Sequence, residues 1–107
     1  MTPAVPRRGS IWLADLPGDK VRPVVVMTRA SVIRHLHSVI AAPVTSTVRG
    51  IPTEVRLSAD DGLLRESAAN FDNLQLVSRS RLIRQIGVLS EQRIAEACRA
   101  LRFAAGC

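Results

Sequence analysis

The chain has 107 residues, which suffices for one compact domain and is too short for two. Its 15 Lys and Arg outnumber its 9 Asp and Glu, giving a formal net charge of +6, so the expected partner is a polyanion or an acidic protein. Aromatic residues make up only 3% of the chain, which leaves little for base stacking, and no apolar run reaches the roughly 18 residues of a membrane-spanning helix.

The N-terminal region predicts a flexible lead-in followed by a β-hairpin. Residues 1–7 contain two prolines and are expected to be flexible, whereas residues 8–107 form the single domain. Residues 8–16 carry apolar side chains on both sides of a predicted strand. The sequence Pro-Gly-Asp-Lys at 17–20 then predicts a tight reversal into a second strand at 22–28.

The second predicted strand places an arginine at its mouth. Three valines and a methionine follow Pro23, and such a run is typical of a strand buried on both faces, with the proline at its first position. Arg22 should therefore stay at the rim, where its planar fork of N–H donors is available to an anion. An equally open alternative is an arginine that caps the strand and pairs with Asp19.

The middle of the chain predicts a short helix and two further strands. Residues 29–37 have apolar side chains at helical spacing, with Thr28 as a possible N-cap. Residues 38–46 are apolar and β-branched and predict a third buried strand, with a bend near Pro43. Residues 53–57 alternate with period two, as a half-exposed strand does.

The C-terminal third predicts short strands and a closing helix. After a turn at 60–62, short strands are expected within 67–77 and at 82–89. An amphipathic helix begins after Ser90 as N-cap and stops at Gly106. This order indicates a small α+β, mainly β fold: an antiparallel barrel or sheet with helices packed against it.

Metal and cofactor chemistry is not expected from these residues. His35 and His37 are the two histidines, and on a helix they would point roughly 200° apart, which disfavours both a zinc site and an acid–base pair for RNA cleavage. Cys98 and Cys107 do not form a metal or redox motif. We therefore expect no metal, no cofactor, no membrane association and a cytoplasmic location.

Five short motifs nevertheless occur in an informative order. They are Arg-Gly-Ser-Ile-Trp at 8–12, Val-Arg-Pro-Val-Val-Val at 21–26, Pro-Val-Thr-Ser at 43–46 with Pro-Thr-Glu-Val at 52–55, Asp-Asn-Leu at 72–74 after Glu-Ser at 66–67, and Ile-Gly-Val-Leu-Ser at 86–90. In this order the chain resembles the MazF/PemK family from Arg8 to Leu101. Each motif is weak by itself, and the five in register are specific.

The resemblance implies the toxin of a type II toxin–antitoxin pair. Members are metal-independent, sequence-specific endoribonucleases with a small antiparallel SH3-like β-barrel resembling that of CcdB, with a short internal helix and a C-terminal helix. They act as homodimers that cleave single-stranded RNA to 2′,3′-cyclic phosphate and 5′-hydroxyl ends. Their antitoxin covers the RNA groove with an acidic C-terminal segment.

The resemblance also assigns roles to individual residues. The family's catalytic Arg and Thr fall on Arg22 and Thr45, and its RNA-contacting Ser and Gln fall on Ser67 and Asn73. Two further RNA-binding candidates are Ser46, which follows Thr45, and Asp19, which stands where relatives have a longer loop containing Glu. The shorter loop around Asp19 and the asparagine at position 73 in place of the family's glutamine leave the recognised RNA sequence open.

Two other classes of function stay open at the level of sequence. The same barrel would permit a non-enzymatic poison that binds gyrase, as CcdB does. A cationic module that binds RNA or an acidic partner without cleaving it would also account for the excess of arginine.

Overall fold

A computed structural model of the chain describes residues 5–106, and in it seven strands form one antiparallel sheet accompanied by two α-helices. The first four residues of the predicted lead-in and Cys107 lie outside the described residues. The strands are β1 Ser10–Ala14, β2 Arg22–Val26, β3 Ser38–Thr45, β4 Glu54–Leu57, β5 Ser67–Asn70, β6 Gln75–Ser78 and β7 Leu82–Val88, and the helices are α1 Ala30–Ile33 and α2 Glu91–Ala105.

Strand β3 is the centre of the sheet. The strand order is β4-β5-β3-β2-β1-β7, and β6 pairs with the first half of β3. Residues 41–43 of β3 face β2, residues 38–41 face β6, and residues 44–45 face β5. The predicted small α+β fold is confirmed, whereas the sheet is not closed into a complete barrel, because β4 and β7 are its two ends.

The predicted burial of β2 on both faces is confirmed, and it divides the interior in two. Val25 packs in a core that α2 covers, together with Phe71. Val24 and Val26 point the other way, into a second core that includes Ile33 of α1. Because the valine side chains alternate between the two cores, neither face of β2 is polar along these residues. The polar residue of β2 is its first one, Arg22.

Helix α1 is shorter than the sequence suggests. The apolar spacing predicts about two turns over 29–37 with Thr28 as N-cap, but the helix covers only Ala30–Ile33 and Arg29 is its N-cap residue. The hydroxyl of Thr28 is engaged elsewhere, because it accepts a hydrogen bond of 2.7 Å from the amide of Ile40. Arg79 donates to the carbonyl of Leu36 at 3.0 Å, which stabilises the non-helical chain that follows.

Helix α2 matches its sequence signals. The Ser90 side chain accepts from the amide of Arg93, and Gly106 ends the helix with a left-handed φ of 75°. Ala97 and Ala100 are its buried residues, and Cys98 beside them is partly buried and not in a disulfide. None of the helices within residues 5–106 combines the length and the apolar character needed to cross a bilayer.

Candidate active-site groove

An open groove lies where β2 begins and β3 ends. Its volume is about 580 Å³, and we call it the Arg22 groove. Both edges of β3 contribute to it, since β2 flanks one edge and the turn after β5 closes the other. The lining residues are Asp19, Arg22, Pro43, Thr45, Thr47, Arg49, Glu54, Asn70, Asp72, Asn73, Leu74 and Gln75.

Arg22 and Thr45 are brought together by the pairing of β2 with β3. The register places Val24 opposite Pro43, and extending it by two residues places Arg22 opposite Thr45. The Nη1 of Arg22 donates to the carbonyl of Val44 at 3.3 Å, which ties the guanidinium to the strand that carries Thr45. Two residues distant in sequence therefore share one end of the groove.

Asp19 fixes the orientation of Arg22. The Nε of Arg22 donates to Oδ2 of Asp19 at 2.7 Å, and its Nη2 donates to Oδ1 at 3.3 Å. The side chain of Arg22 is 23% exposed and that of Asp19 is 37% exposed, so the pair faces the groove. The two interpretations of Arg22 from the sequence are therefore compatible: Arg22 pairs with Asp19, and it also lines the open groove.

The Arg22–Asp19 contact also sets the protonation of the carboxyl. The hydrogen bond from Arg22 lowers the pKa of Asp19, and the hydrogen bond from the amide of Lys20 lowers it further. Asp19 is consequently ionised at neutral pH. A carboxylate with a lowered pKa is a weak proton acceptor, and its main effect here is to hold the guanidinium in place.

The Thr45 hydroxyl accepts one hydrogen bond within the protein and can still donate one. Its Oγ1 accepts a hydrogen bond of 3.1 Å from the amide of Thr47, two residues along the chain. Since that bond uses a lone pair, the hydroxyl proton can be donated to a ligand in the groove. Thr45 is half-buried, which restricts the directions in which it can donate.

Asn73 is the fourth predicted site residue that lines the groove, after Asp19, Arg22 and Thr45. It lies in a 3₁₀ turn, Phe71–Asn73, which the side chain of Asn70 caps by accepting from the amide of Asp72 at 2.9 Å. The carboxylate of Asp72 accepts from the hydroxyl of Thr53 at 2.6 Å. This network fixes the turn and presents the amide of Asn73 to solvent.

Ser46 and Ser67 do not line the Arg22 groove. The hydroxyl of Ser67 is buried, with the residue 5% exposed, and donates to the carbonyl of Arg65 at 3.0 Å. Ser46 is exposed immediately after β3. Ser67 stands at the opposite end of β5 from Asn70, so the strand direction separates it from the groove.

Five further polar residues line the groove although the sequence does not predict a role for them there. They are Thr47, Arg49, Glu54, Asn70 and Gln75. The sequence feature that marks two of them is the Arg-Gly pair at 49–50, followed by Glu54 in the predicted strand at 53–57. His35 and His37 are exposed and lie outside the lining. Within residues 5–106, no three His, Cys, Asp or Glu side chains are grouped to hold a metal ion.

Comparison with known proteins identifies the family. A family model described as PemK-like, MazF-like toxin of type II toxin-antitoxin system matches residues 7–104. The chain belongs to this toxin family. The toxin is 37% identical to the probable endoribonuclease MazF5 of Mycobacterium tuberculosis over 105 residues, covering 97% of this chain and 96% of the relative.

Solved structures agree with the family assignment. The toxin superposes on Mycobacterium tuberculosis toxin MazF-mt6 with a TM-score of 0.85 and 40% identity, covering 91% of this chain and 96% of the other. A second match is an endoribonuclease in complex with its cognate antitoxin from a mycobacterial species, with a TM-score of 0.84, 28% identity, and coverage of 94% and 95%. The resemblance inferred from the ordered motifs is confirmed.

Proposed function

We propose that the toxin is a metal-independent, sequence-specific endoribonuclease that cleaves single-stranded RNA and thereby inhibits translation and growth. The observation that carries this proposal is the convergence of Arg22 and Thr45 on one open groove. Relatives that match the chain over nearly its whole length are named endoribonucleases. A gyrase poison is not favoured, because those relatives carry a different activity in their names.

The groove suits attack by the 2′-hydroxyl of the substrate on the adjacent phosphate. That reaction forms a 2′,3′-cyclic phosphate, expels a 5′-hydroxyl, and passes through a phosphorane with extra negative charge on its oxygens. Arg22 has five N–H groups, of which three are engaged by Asp19 and Val44. The remaining N–H groups can bind the phosphorane oxygens.

Thr45 and Asn73 would complete the substrate contacts. The Thr45 hydroxyl proton would bind the same phosphate, while the Asn73 amide can both donate to and accept from a base. Asp19 would act on RNA mainly through Arg22. The groove then contributes preorganised charge stabilisation rather than strong general-base catalysis, since the lowered pKa of Asp19 makes its carboxylate a weak base.

Cleavage of a long RNA in EDTA tests the proposal. Wild type should produce discrete fragments that end in cyclic phosphate, and Arg22→Ala should abolish them. Arg29→Ala is the matched control, because Arg29 is exposed beyond the other end of β2. Identical fragment patterns from wild type and Arg22→Ala would show that the assignment is wrong. Mapping the fragment 5′ ends across a transcriptome would give the recognised sequence.

We also propose a homodimer in which the grooves of two protomers form one RNA channel. Ile40 and Leu76 face each other across β3 and β6 and are 44% and 73% exposed. Leu76 directly follows the groove residue Gln75, so a second copy bound at this apolar pair would extend the groove. Sedimentation should give a dimer for wild type and a monomer for Leu76→Glu, and a wild-type monomer at micromolar concentration would contradict it.

An antitoxin with an acidic C-terminal segment is the proposed regulatory partner. Structural neighbours of this chain include complexes of MazE with MazF from Deinococcus radiodurans and a complex with a cognate antitoxin. An acidic segment would compete with RNA for the guanidinium of Arg22. We propose that both partners meet the toxin in the cytoplasm, where mRNA is translated.

A further inference from the structure

The charges that line the Arg22 groove nearly cancel. Arg22 and Arg49 supply two positive charges, whereas Asp19, Glu54 and Asp72 supply three negative charges. The net charge of +6 of the whole chain is therefore not concentrated where the RNA is proposed to bind. Which anions the groove accepts depends on which of these five side chains already have partners.

All three carboxylates are engaged within the protein. Asp19 binds the guanidinium of Arg22, and Asp72 accepts from a hydroxyl. Glu54 differs, because its Oε1 accepts from two backbone amides, those of Arg49 at 2.9 Å and Gly50 at 3.0 Å. Glu54 thus holds the backbone of Arg49 without pairing with its guanidinium.

The charge of Arg49 is consequently left for a ligand. Across residues 5–106, no carboxylate forms an ion pair with its guanidinium, and the residue is exposed at the groove. Arg22, in contrast, shares its charge with the paired carboxylate of Asp19. Arg49 is therefore the lining cation whose full charge can act on a phosphate.

Hydrogen bonds hold the segment that carries Arg49 at both of its ends, and we call residues 46–53 the β3–β4 loop. At its start, the amide of Thr47 donates to Thr45. In its middle, Gly50 adopts a φ of 71°, which a residue with a side chain rarely adopts. At its end, the amide of Glu54 donates to the carbonyl of Ile51 at 3.0 Å. The Glu54 carboxylate then closes the loop onto β4.

We infer that Arg49 is a second phosphate-binding residue of the groove, and that Glu54 is the positioning residue that presents it. The inference rests on the proposed endoribonuclease function. Arg49 lies four residues after Thr45 on the loop anchored to the Thr45 hydroxyl, so it would bind a phosphate beside the scissile one. It would strengthen binding of the RNA, whereas Arg22 acts on the reacting phosphate.

Binding measurements on Arg49 variants test the first half. The probe is an RNA oligonucleotide that carries a mapped cleavage site with 2′-deoxyribose at the scissile nucleotide. Arg49→Ala should lower the slope of log K against log salt by about 0.7, the value for one phosphate contact on a single strand. Arg49→Lys should keep the slope, because lysine also binds phosphate as a point charge. Arg29→Ala should leave it unchanged.

Kinetics separate this role from that of Arg22. Arg49→Ala should raise KM about tenfold, as expected for the loss of one charge-assisted hydrogen bond, with kcat within about twofold of wild type. A slope and a KM equal to those of Arg29→Ala would overturn the inference. So would a fall in kcat with KM unchanged.

Amide exchange and a double mutant test the second half. Glu54→Ala should remove the protection of the Arg49 and Gly50 amides and raise KM, while Glu54→Gln, which keeps Oε1 as an acceptor, should retain part of both. The matched control is Glu66→Ala, an exposed carboxylate outside the groove lining. In an Arg49→Ala background, Glu54→Ala should have no further effect on KM. If Glu54→Ala raised KM there by the same factor as in the wild-type background, the positioning role would be overturned.

The failure of this inference can be told from failure of the proposed function. If wild type cleaves no RNA, the endoribonuclease assignment is wrong. If wild type cleaves RNA in an Arg22-dependent way and Arg49→Ala keeps the wild-type salt slope, only the role of Arg49 is wrong. Because Arg49 is exposed, Arg49→Ala is expected to fold. Its result therefore stands whether or not the separate variant Glu54→Ala folds.

Discussion

Replacing Arg22 by lysine isolates the geometry of the guanidinium from its charge. Lysine keeps one positive charge at the mouth of β2, but its three N–H donors radiate from a single atom. Arg22 holds Asp19 through two nitrogens and the Val44 carbonyl through a third. An ammonium that keeps these three contacts has no N–H left for the substrate.

The expected loss follows from this count of donors. Five N–H groups less three engaged ones leave two for the phosphorane in wild type, and lysine leaves none unless it gives up Asp19. Loss of one preorganised donor typically costs about 10²-fold to 10³-fold in kcat, or about 3 to 4 kcal/mol. Arg22→Lys should therefore lower kcat at least a hundredfold, close to the effect of Arg22→Ala.

Single-turnover cleavage of an RNA with one mapped site is the assay. It measures the chemical step apart from product release, and KM should change less than kcat for Arg22→Lys, because the charge that attracts the backbone is retained. Circular dichroism should show an unchanged fold. A kcat for Arg22→Lys within threefold of wild type would refute the argument that the fork of donors, rather than the charge alone, stabilises the phosphorane.

Three further substitutions and one pH measurement have defined expectations. Thr45→Val, which removes the hydroxyl at similar volume, should lower kcat about tenfold or more by the same cleavage assay, and an unchanged kcat would count against its contact. The pKa of Asp19 is lowered in the folded protein. The stability that its pairing with Arg22 contributes is therefore fully present above the unfolded pKa of about 3.9 and is lost as pH falls through the lower folded value. An NMR titration that gives Asp19 a pKa above about 4 would contradict this. Gly87→Ala should destabilise the fold by about 1 to 3 kcal/mol in urea unfolding, because a Cβ there would meet the Asp61 carbonyl oxygen at 1.9 Å, and a stability equal to wild type would exclude the clash. Ser90→Ala should cost about 1 kcal/mol through loss of the N-cap bond, with an unchanged unfolding midpoint as the contrary result.

Elements whose signals are local could be predicted well from the sequence. Helix α2 has an N-cap serine, an apolar face and a terminal glycine, and the structure realises all three. The run after Pro23 predicted a strand buried on both faces, and β2 is buried by two cores. Helix α1 was predicted too long, because Thr28 bonds to β3 instead of capping the helix, a long-range contact that spacing does not reveal.

The candidate site was predicted in part. Arg22, Thr45, Asn73 and Asp19 do line one groove, and their residue types and ordered motifs pointed to them. Ser67 faces the protein interior and bonds its own chain. Whether a polar side chain at a strand end points into a cleft depends on strand direction and pleat, which the sequence does not give until the pairing is known.

The amino-acid sequence by itself determined the toxin family, the presence of the buried strand and closing helix, and the candidate residues Arg22 and Thr45, because these depend on residue type and local order. Only the tertiary structure decided that Asp19 holds Arg22, that the sheet stays open, and that Glu54 leaves the Arg49 charge unpaired. The physical reason is that hydrogen bonds between residues far apart in the chain depend on strand register, and that register follows from how the strands pair and which sheet face is buried in the assembled fold.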